Sequence, residues 1–147
     1  MKTYKKIQYG IFLSLFFLVI IIFILYAGYY QTGSNPIPMN LAYVLSALFI
    51  LTILLFYKLT ITITNEKITA SFGVGLIKKS MPINQIATIE KVKMPWYYGV
   101  GIRLTPKGWL WNVKVGEAIL IHNKNKTKTF LVGTDDYQTI ETILKQH

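Results

Sequence analysis

Two apolar blocks fill most of the first 57 residues and limit what this chain can fold into. IFLSLFFLVIIIFILYA runs from Ile11 to Ala27 and LAYVLSALFILTILLFY from Leu41 to Tyr57, and neither carries a charge. At a rise of about 1.5 Å per residue, each block makes roughly 25 Å of helix. Apolar or aromatic flanks (Ile7, Tyr9, Tyr29, Tyr30, Met39) add a turn, which reaches the short end of a bilayer span. Two buried helices of a soluble protein would need more chain to cover them than the rest of the sequence supplies. MKTYKK has the positive character of a signal-peptide start. However, the apolar run exceeds a signal core, Tyr29-Tyr30-Gln31 lacks the small residues of a cleavage site, and a second block follows. The expectation is a transmembrane anchor over residues 1–58, with helices at about 7–30 and 39–57.

Lysine placement predicts the orientation. Lys2, Lys5 and Lys6 precede the first block, Lys58 follows the second, and the connecting GYYQTGSNPIPMN is uncharged. The positive-inside rule then puts both termini in the cytoplasm, in an inner (cytoplasmic) membrane protein that crosses twice. Tyr26, Tyr29, Tyr30 and Tyr43 mark the outer interface, Tyr9 and Tyr57 the inner one. Ser14, Ser46 and Thr52 are small polar residues suited to helix contact. No ionisable residue lies within either block, so nothing suggests a proton path or channel. The chain has no cysteine, which excludes disulfides, thiolate zinc sites and thiol catalysis.

From Lys58 onward the period changes to two. KLTITITN sets Leu59, Ile61 and Ile63 against Thr60, Thr62 and Thr64, and KITASFG returns with Ile68, Ala70 and Phe72 on one face. LIKKSMPI, QIATIEKVKM and GIRLT read as further strands. WLWNVKV with EAILIHN reads as a sixth, broken near Gly116, and KTFLVG as a seventh. Gly73, Gly75, Pro82, Pro95, Gly99, Pro106 and Gly108 punctuate them. In TDDYQTIETILKQH, Tyr137, Ile140, Ile143 and Leu144 fall at helical spacing, with Thr134 or Asp135 as cap and Lys145 suited to the far end.

FGVGLIKKSMPINQI, PWYYGVGIRLTPKGWLWNV and VGTDDYQTIETIL, in that order, resemble the bacterial pleckstrin-homology-like (PH-like) domains of membrane-anchored proteins. The resemblance covers nearly all of residues 59–147. It implies a membrane-anchored α+β protein: two transmembrane helices, then a cytoplasmic PH-like antiparallel β-barrel of about seven strands closed by a C-terminal helix. It also implies a binding or scaffolding module with no established activity. Eukaryotic PH domains hold phosphoinositides with basic residues around a first hairpin loop. Here that loop is TNEK, one lysine beside a glutamate, so that ligand is not carried over.

All three tryptophans lie within PWYYGVGIRLTPKGWLWNVK, residues 95–114. Trp109 and Trp111 are two apart and share a strand face, with Leu110 on the other. The rings either fill and border a barrel corner, bind a partner, or dip into the inner leaflet. The candidate partner-binding residues are Trp96, Tyr97, Tyr98, Arg103, Trp109 and Trp111. Arg103, the only arginine, stands in an apolar strand and suits either an ion pair with Glu90 or Glu117 or a ligand anchor.

Residues from Lys58 on carry 13 Lys+Arg and 6 Asp+Glu, a net +7 that favours an anionic leaflet. Lys78, Lys79, Lys91 and Lys93 are the candidate lipid-facing set; Lys107, Lys114, Lys124, Lys126 and Lys128 add to the basic surface. No nucleic-acid-binding signature accompanies the charge. His122 and His147 are poorly placed for catalysis, Ser71 and Ser80 lack a nucleophile elbow, and neither a phosphate loop nor a dinucleotide fingerprint occurs. The expectation is a non-catalytic module without cofactor or metal, and without nucleic acid. It would recognise a protein segment at the cytoplasmic membrane surface or, alternatively, anionic lipid headgroups.

Overall fold

The computed structural model describes residues 3–125 and 128–146. Lys2, Lys126 and His147, named above for orientation, charge and catalysis, lie outside the described residues.

Two helices fit the apolar blocks: α1 (Ile11–Tyr30) and α2 (Met39–Phe56). Both are long and apolar enough to cross a membrane, at about 30 and 27 Å. They pack against each other and leave large side chains exposed on the remaining faces, among them Phe12, Val19, Phe23, Val44 and Leu48. A core helix of a soluble protein would bury such residues. Contact runs through small groups. Gly28 lies so close to Ala42 that a Cβ there would sit 2.9 Å from the alanine methyl, and Ser46 is buried nearby. Phe17 stacks on Phe49 at 5.3 Å. Of the small polar residues expected at this contact, Ser46 is buried there, and Ser14 lines a cleft with Ile53 of α2. Ser14 and Thr52 bond to carbonyls of the preceding turn, Gly10 and Leu48.

The strands form two sheets. The first is ordered β1-β2-β3-β4, with β1 Tyr4–Tyr9, β2 Lys58–Ile63, β3 Lys67–Phe72 and β4 Ile77–Pro82. The second is ordered β5-β8-β9-β7-β6, with β5 Ile86–Met94, β6 Gly101–Thr105, β7 Gly108–Asn112, β8 Gly116–Asn123 and β9 Thr129–Gly133. Among the described residues no ladder joins the sheets into a closed barrel. The all-antiparallel expectation is also corrected, because β7 and β9 run parallel, pairing Leu110 with Leu131 and Trp111 with Val132.

The first helix starts at Ile11, not near residue 7, because the chain ahead of it is β1. This strand pairs with β2 from Tyr4↔Ile63 to Tyr9↔Lys58, so the ends of the helical hairpin meet in one sheet. Single residues make the joints: Gly10 between β1 and α1, Tyr57 between α2 and β2. The Gly10 N–H donates to the Tyr57 carbonyl at 2.8 Å.

One core fills the space between the sheets. Leu59, Ile61, Ile63, Ile68 and Phe72 from the first sheet meet Trp111, Ile119, Ile121, Phe130 and Val132 from the second. Helix α3 (Tyr137–Lys145) closes it with Ile140 and Leu144, at the helical spacing expected. The N-cap is Asp136, one residue beyond the expected positions; Thr134 instead accepts the Asp136 N–H at 3.1 Å.

Candidate functional site

A second cluster lies on the opposite face of the five-stranded sheet: Val92, Met94, Leu110, Ala118, Leu120 and Leu131. Strands β5 and β6 are the two outer strands of that sheet, so the Pro95–Val100 link between them crosses this face. Tyr98 packs on the cluster from that link. The aromatic stretch therefore has a structural task, covering apolar surface on the outer face of this sheet.

That task divides the six candidate residues. Trp111 is core: it stacks on Phe72 at 5.5 Å, and Phe72 meets Phe56 of α2 at 5.2 Å. Tyr98 is the half-buried cover. Trp111 is not free to meet a partner, whereas Tyr98 also lines the depression that holds Tyr97 and Arg103. Trp96 is 79% exposed and faces the entry of α1, lining an open cleft of about 530 Å³ with Tyr9, Ile11, Phe12, Val113 and Val115.

Tyr97 and Arg103 lie together elsewhere, and Trp109 stands on the other face of the same strand pair. Strand β6 pairs with β7 on one side and, among the described residues, has no strand on the other. Tyr97 and Arg103 line a shallow depression beside it, and Trp109 stands opposite Leu104 across the β6–β7 ladder. Leu104 is 70% exposed, Tyr97 67% and Trp109 52%. Tyr97 meets Tyr98 edge-on at 5.1 Å, which fixes its ring beside the covered face. The ion pair expected of Arg103 does not form. Its Nε donates to the Val100 carbonyl at 3.1 Å, and Glu117 is taken by Lys91 at 2.7 Å. Arg103 thus ties the 95–100 link to β6 and leaves a cation at the edge.

The lysines do not make one surface. Lys78 and Lys79 are adjacent on β4 and point to opposite faces. Lys79 shares the inward face with Ile77 and Met81; its ammonium donates to the Thr129 carbonyl at 2.8 Å, and burial pushes its pKa down. On β5 of the other sheet, Lys91 is paired with Glu117 and Lys93 is exposed. A cleft of about 290 Å³ beside Lys79 reaches Gln85, Trp109, Asn123 and Lys128. Among the described residues no three His, Asp or Glu side chains come together as a metal site.

Sequence reasoning missed Leu104, which looked like one more strand residue, and three exposed apolar residues of turns: Val74, Leu76 and Val115. A signal existed for the first two. FGVGL is a turn whose non-glycine positions are apolar, where a solvated turn would be polar. No protein-family model, no curated protein and no solved structure matches this chain.

Proposed function

We propose that this protein is a non-catalytic, membrane-tethered binding module. Its two helices cross the inner membrane, its sheets and α3 form a PH-like domain in the cytoplasm, and an extended protein segment adds to the free edge of β6. The observation that carries the reading is that edge: among the described residues, a strand paired on one side only, with exposed Tyr97 and Leu104 beside it and Trp109 across the ladder. Strand addition supplies backbone hydrogen bonds, and alternate side chains find the flanking apolar groups. Exposed edges are normally blunted by charge, proline or cover. Here the edge carries one arginine, already bonded to Val100, between two apolar residues. The orientation is supported by Lys5, Lys6 and Lys58 at one end of the helices and by an uncharged loop at the other.

The test is photo-cross-linking of the full-length protein in its native membrane, with a photoreactive residue at Leu104 or, as control, at Thr62 on the outer face of β2. A single protein adduct at position 104, mapping to a contiguous segment of the partner and absent at 62, supports the reading. Equal adducts at both positions, or lipid adducts alone at 104, overturn it.

A further inference from the structure

Three turns surround the point where the helices enter the domain. The β3–β4 turn, residues 73–76, lies against α2. Gly73 has φ +52°, and a Cβ there would fall 2.3 Å from the Leu54 carbonyl and 2.5 Å from that of Leu55, so only glycine permits the approach. On the other side the 95–100 link and residues 113–115 stand beside the first turn of α1, where Trp96, Val113 and Val115 share a cleft with Ile11 and Phe12. Each turn exposes apolar side chains: Val74 and Leu76 in the first, Trp96 and Val115 in the others.

Depth follows from helix length. Helix α2 rises about 27 Å, less than the roughly 30 Å of bilayer hydrocarbon, so no turn of it is spare. Leu54 and Leu55 then lie at the hydrocarbon boundary, and so does the turn packed on them. Ile11 and Phe12 place the other two turns at the same level by the same argument. Gly10 and Tyr57, the one-residue joints, leave no linker by which the domain could stand clear. Lys58 and Lys114 border this apolar end, where ammonium groups would meet headgroup phosphate.

We propose that the membrane-facing end of the domain is itself a bilayer-binding surface, with Val74, Leu76, Trp96 and Val115 inserted at the boundary between headgroups and acyl chains around the helical hairpin. The inference rests on the reading of α1 and α2 as membrane spans. It makes the domain a seated body rather than a tethered one and holds the β6 edge at a fixed height above the lipid.

The chain has no cysteine, so single cysteines can be spin-labelled without background. Full-length variants Val74→Cys, Leu76→Cys and Val115→Cys, with Phe23→Cys within α1 and Leu104→Cys on the β6 edge as references, are reconstituted in phosphatidylcholine–phosphatidylglycerol vesicles. Accessibility to oxygen is compared with accessibility to a water-soluble nickel chelate. The expected result is an oxygen-to-nickel ratio several-fold higher at 74, 76 and 115 than at 104. Water-like values at all three, with Phe23→Cys in lipid, overturn the proposal and leave the spans intact; a water-like Phe23→Cys overturns both. A second measurement changes no turn backbone. Brominated phosphatidylcholine should quench the tryptophan fluorescence of Trp109→Phe, which keeps Trp96, and lose most of that effect in Trp96→Phe. Equal quenching in the two variants also overturns the proposal.

Discussion

The two sheets of the domain share a core, yet the first buries one face and the second buries both. In β2 and β3, Leu59, Ile61, Ile63, Ile68, Ala70 and Phe72 point inward, while on the other face Thr62, Thr69 and Ser71 are only partly covered and Thr60 is buried. In β8 and β9 the burial is unbroken from Ala118 to Ile121 and from Phe130 to Gly133. Alternation marks a sheet with one solvated side, and a continuous apolar run marks a sheet covered on both. The second sheet therefore needs a second cover, which the Pro95–Val100 link provides. The concentration of aromatics in residues 95–114 follows from four different demands on a short stretch. Trp111 fills the shared core, Tyr98 covers the outer face, Trp96 faces the helix entry, and Tyr97 and Trp109 flank the β6 edge.

The sharpest challenge to this division is a pair of tryptophans two residues apart. Trp111→Ala should open a core cavity and cost about 3–5 kcal/mol, lowering the melting temperature of the detergent-solubilised protein by roughly 10 °C or more. Trp109→Ala, at an exposed site, should stay within about 0.5 kcal/mol. Similar losses in the two would mean that the shared-face assignment does not separate core from edge. The outer cover is tested next. Tyr98→Ala uncovers Val92, Leu110, Leu120 and Leu131 and should cost about 2 kcal/mol, whereas Thr62→Ala on the solvated face of the first sheet should be near neutral. A detergent melt of Tyr98→Ala unchanged from the parent would show that the second face needs no lid.

Much of this difference was legible in the sequence. KITASFG alternates and folds as an alternating strand, and KLTITITN does so except at Thr60, which is buried; EAILI and TFLV are unbroken and fold as strands buried on both sides. The helical spacing of Ile140 and Leu144 also placed α3 correctly on the core. Strand β1 was not legible, because its alternation is inverted. Tyr4, Lys6 and Gln8 point inward, while Ile7 and Tyr9 point out, so the hydrophobic period gives no strand signal ahead of an apolar helix. Its inward polar groups are satisfied only by residues more than a hundred positions away. The parallel β7–β9 pairing is also non-local, and WLWNVKV with EAILIHN, read as one strand broken near Gly116, folds as two strands, β7 and β8. At the site, side-chain type pointed to the right stretch, but which rings stay free depends on the path of the 95–100 link over the second sheet. Leu104 gives no local signal at all, since only strand order makes β6 an edge.

Smaller effects should come from the polar seam that joins the sheets through β1. Gln8 is buried and its Nε2 donates to the Gly133 carbonyl at 2.8 Å. Gln8→Ala leaves that carbonyl without this partner and should cost about 1–2 kcal/mol. Protection of the β1 amides from hydrogen exchange should fall before that of β8, which lies inside the second sheet. If both strands lose protection together, the seam is part of the global unfolding unit and does not mark the difference between the sheets.

The outer end of the seam is ionic, and its effect should depend on pH. The Tyr4 hydroxyl donates to the Asp136 carboxylate, which also accepts from Thr139 at 2.6 Å, and Lys6 pairs with Asp135 at 2.9 Å. The Thr139 and Tyr4 hydroxyls hold Asp136 below the usual carboxylate range. Burial, with the Asp136 bond, pushes Tyr4 above the usual phenol range. A carboxylate lowered on folding stabilises above its unfolded pKa, near 4, and loses that contribution as pH falls through the folded value. A phenol raised on folding stabilises fully below its unfolded pKa, near 10, and loses that as pH rises. The seam is therefore strongest between about pH 4 and pH 10. Because Asp136 is near the surface, Asp136→Asn should lower stability at pH 7 by no more than about 1 kcal/mol. The gap between parent and variant should narrow as pH falls below about 4, where the unfolded chain takes up the proton more readily than the folded one. Melting temperatures of the two proteins across that range measure it. A gap unchanged from pH 7 to pH 3 would show that β1 is held by shape and backbone pairing alone, and that the charged groups at its end add nothing to the join between the sheets.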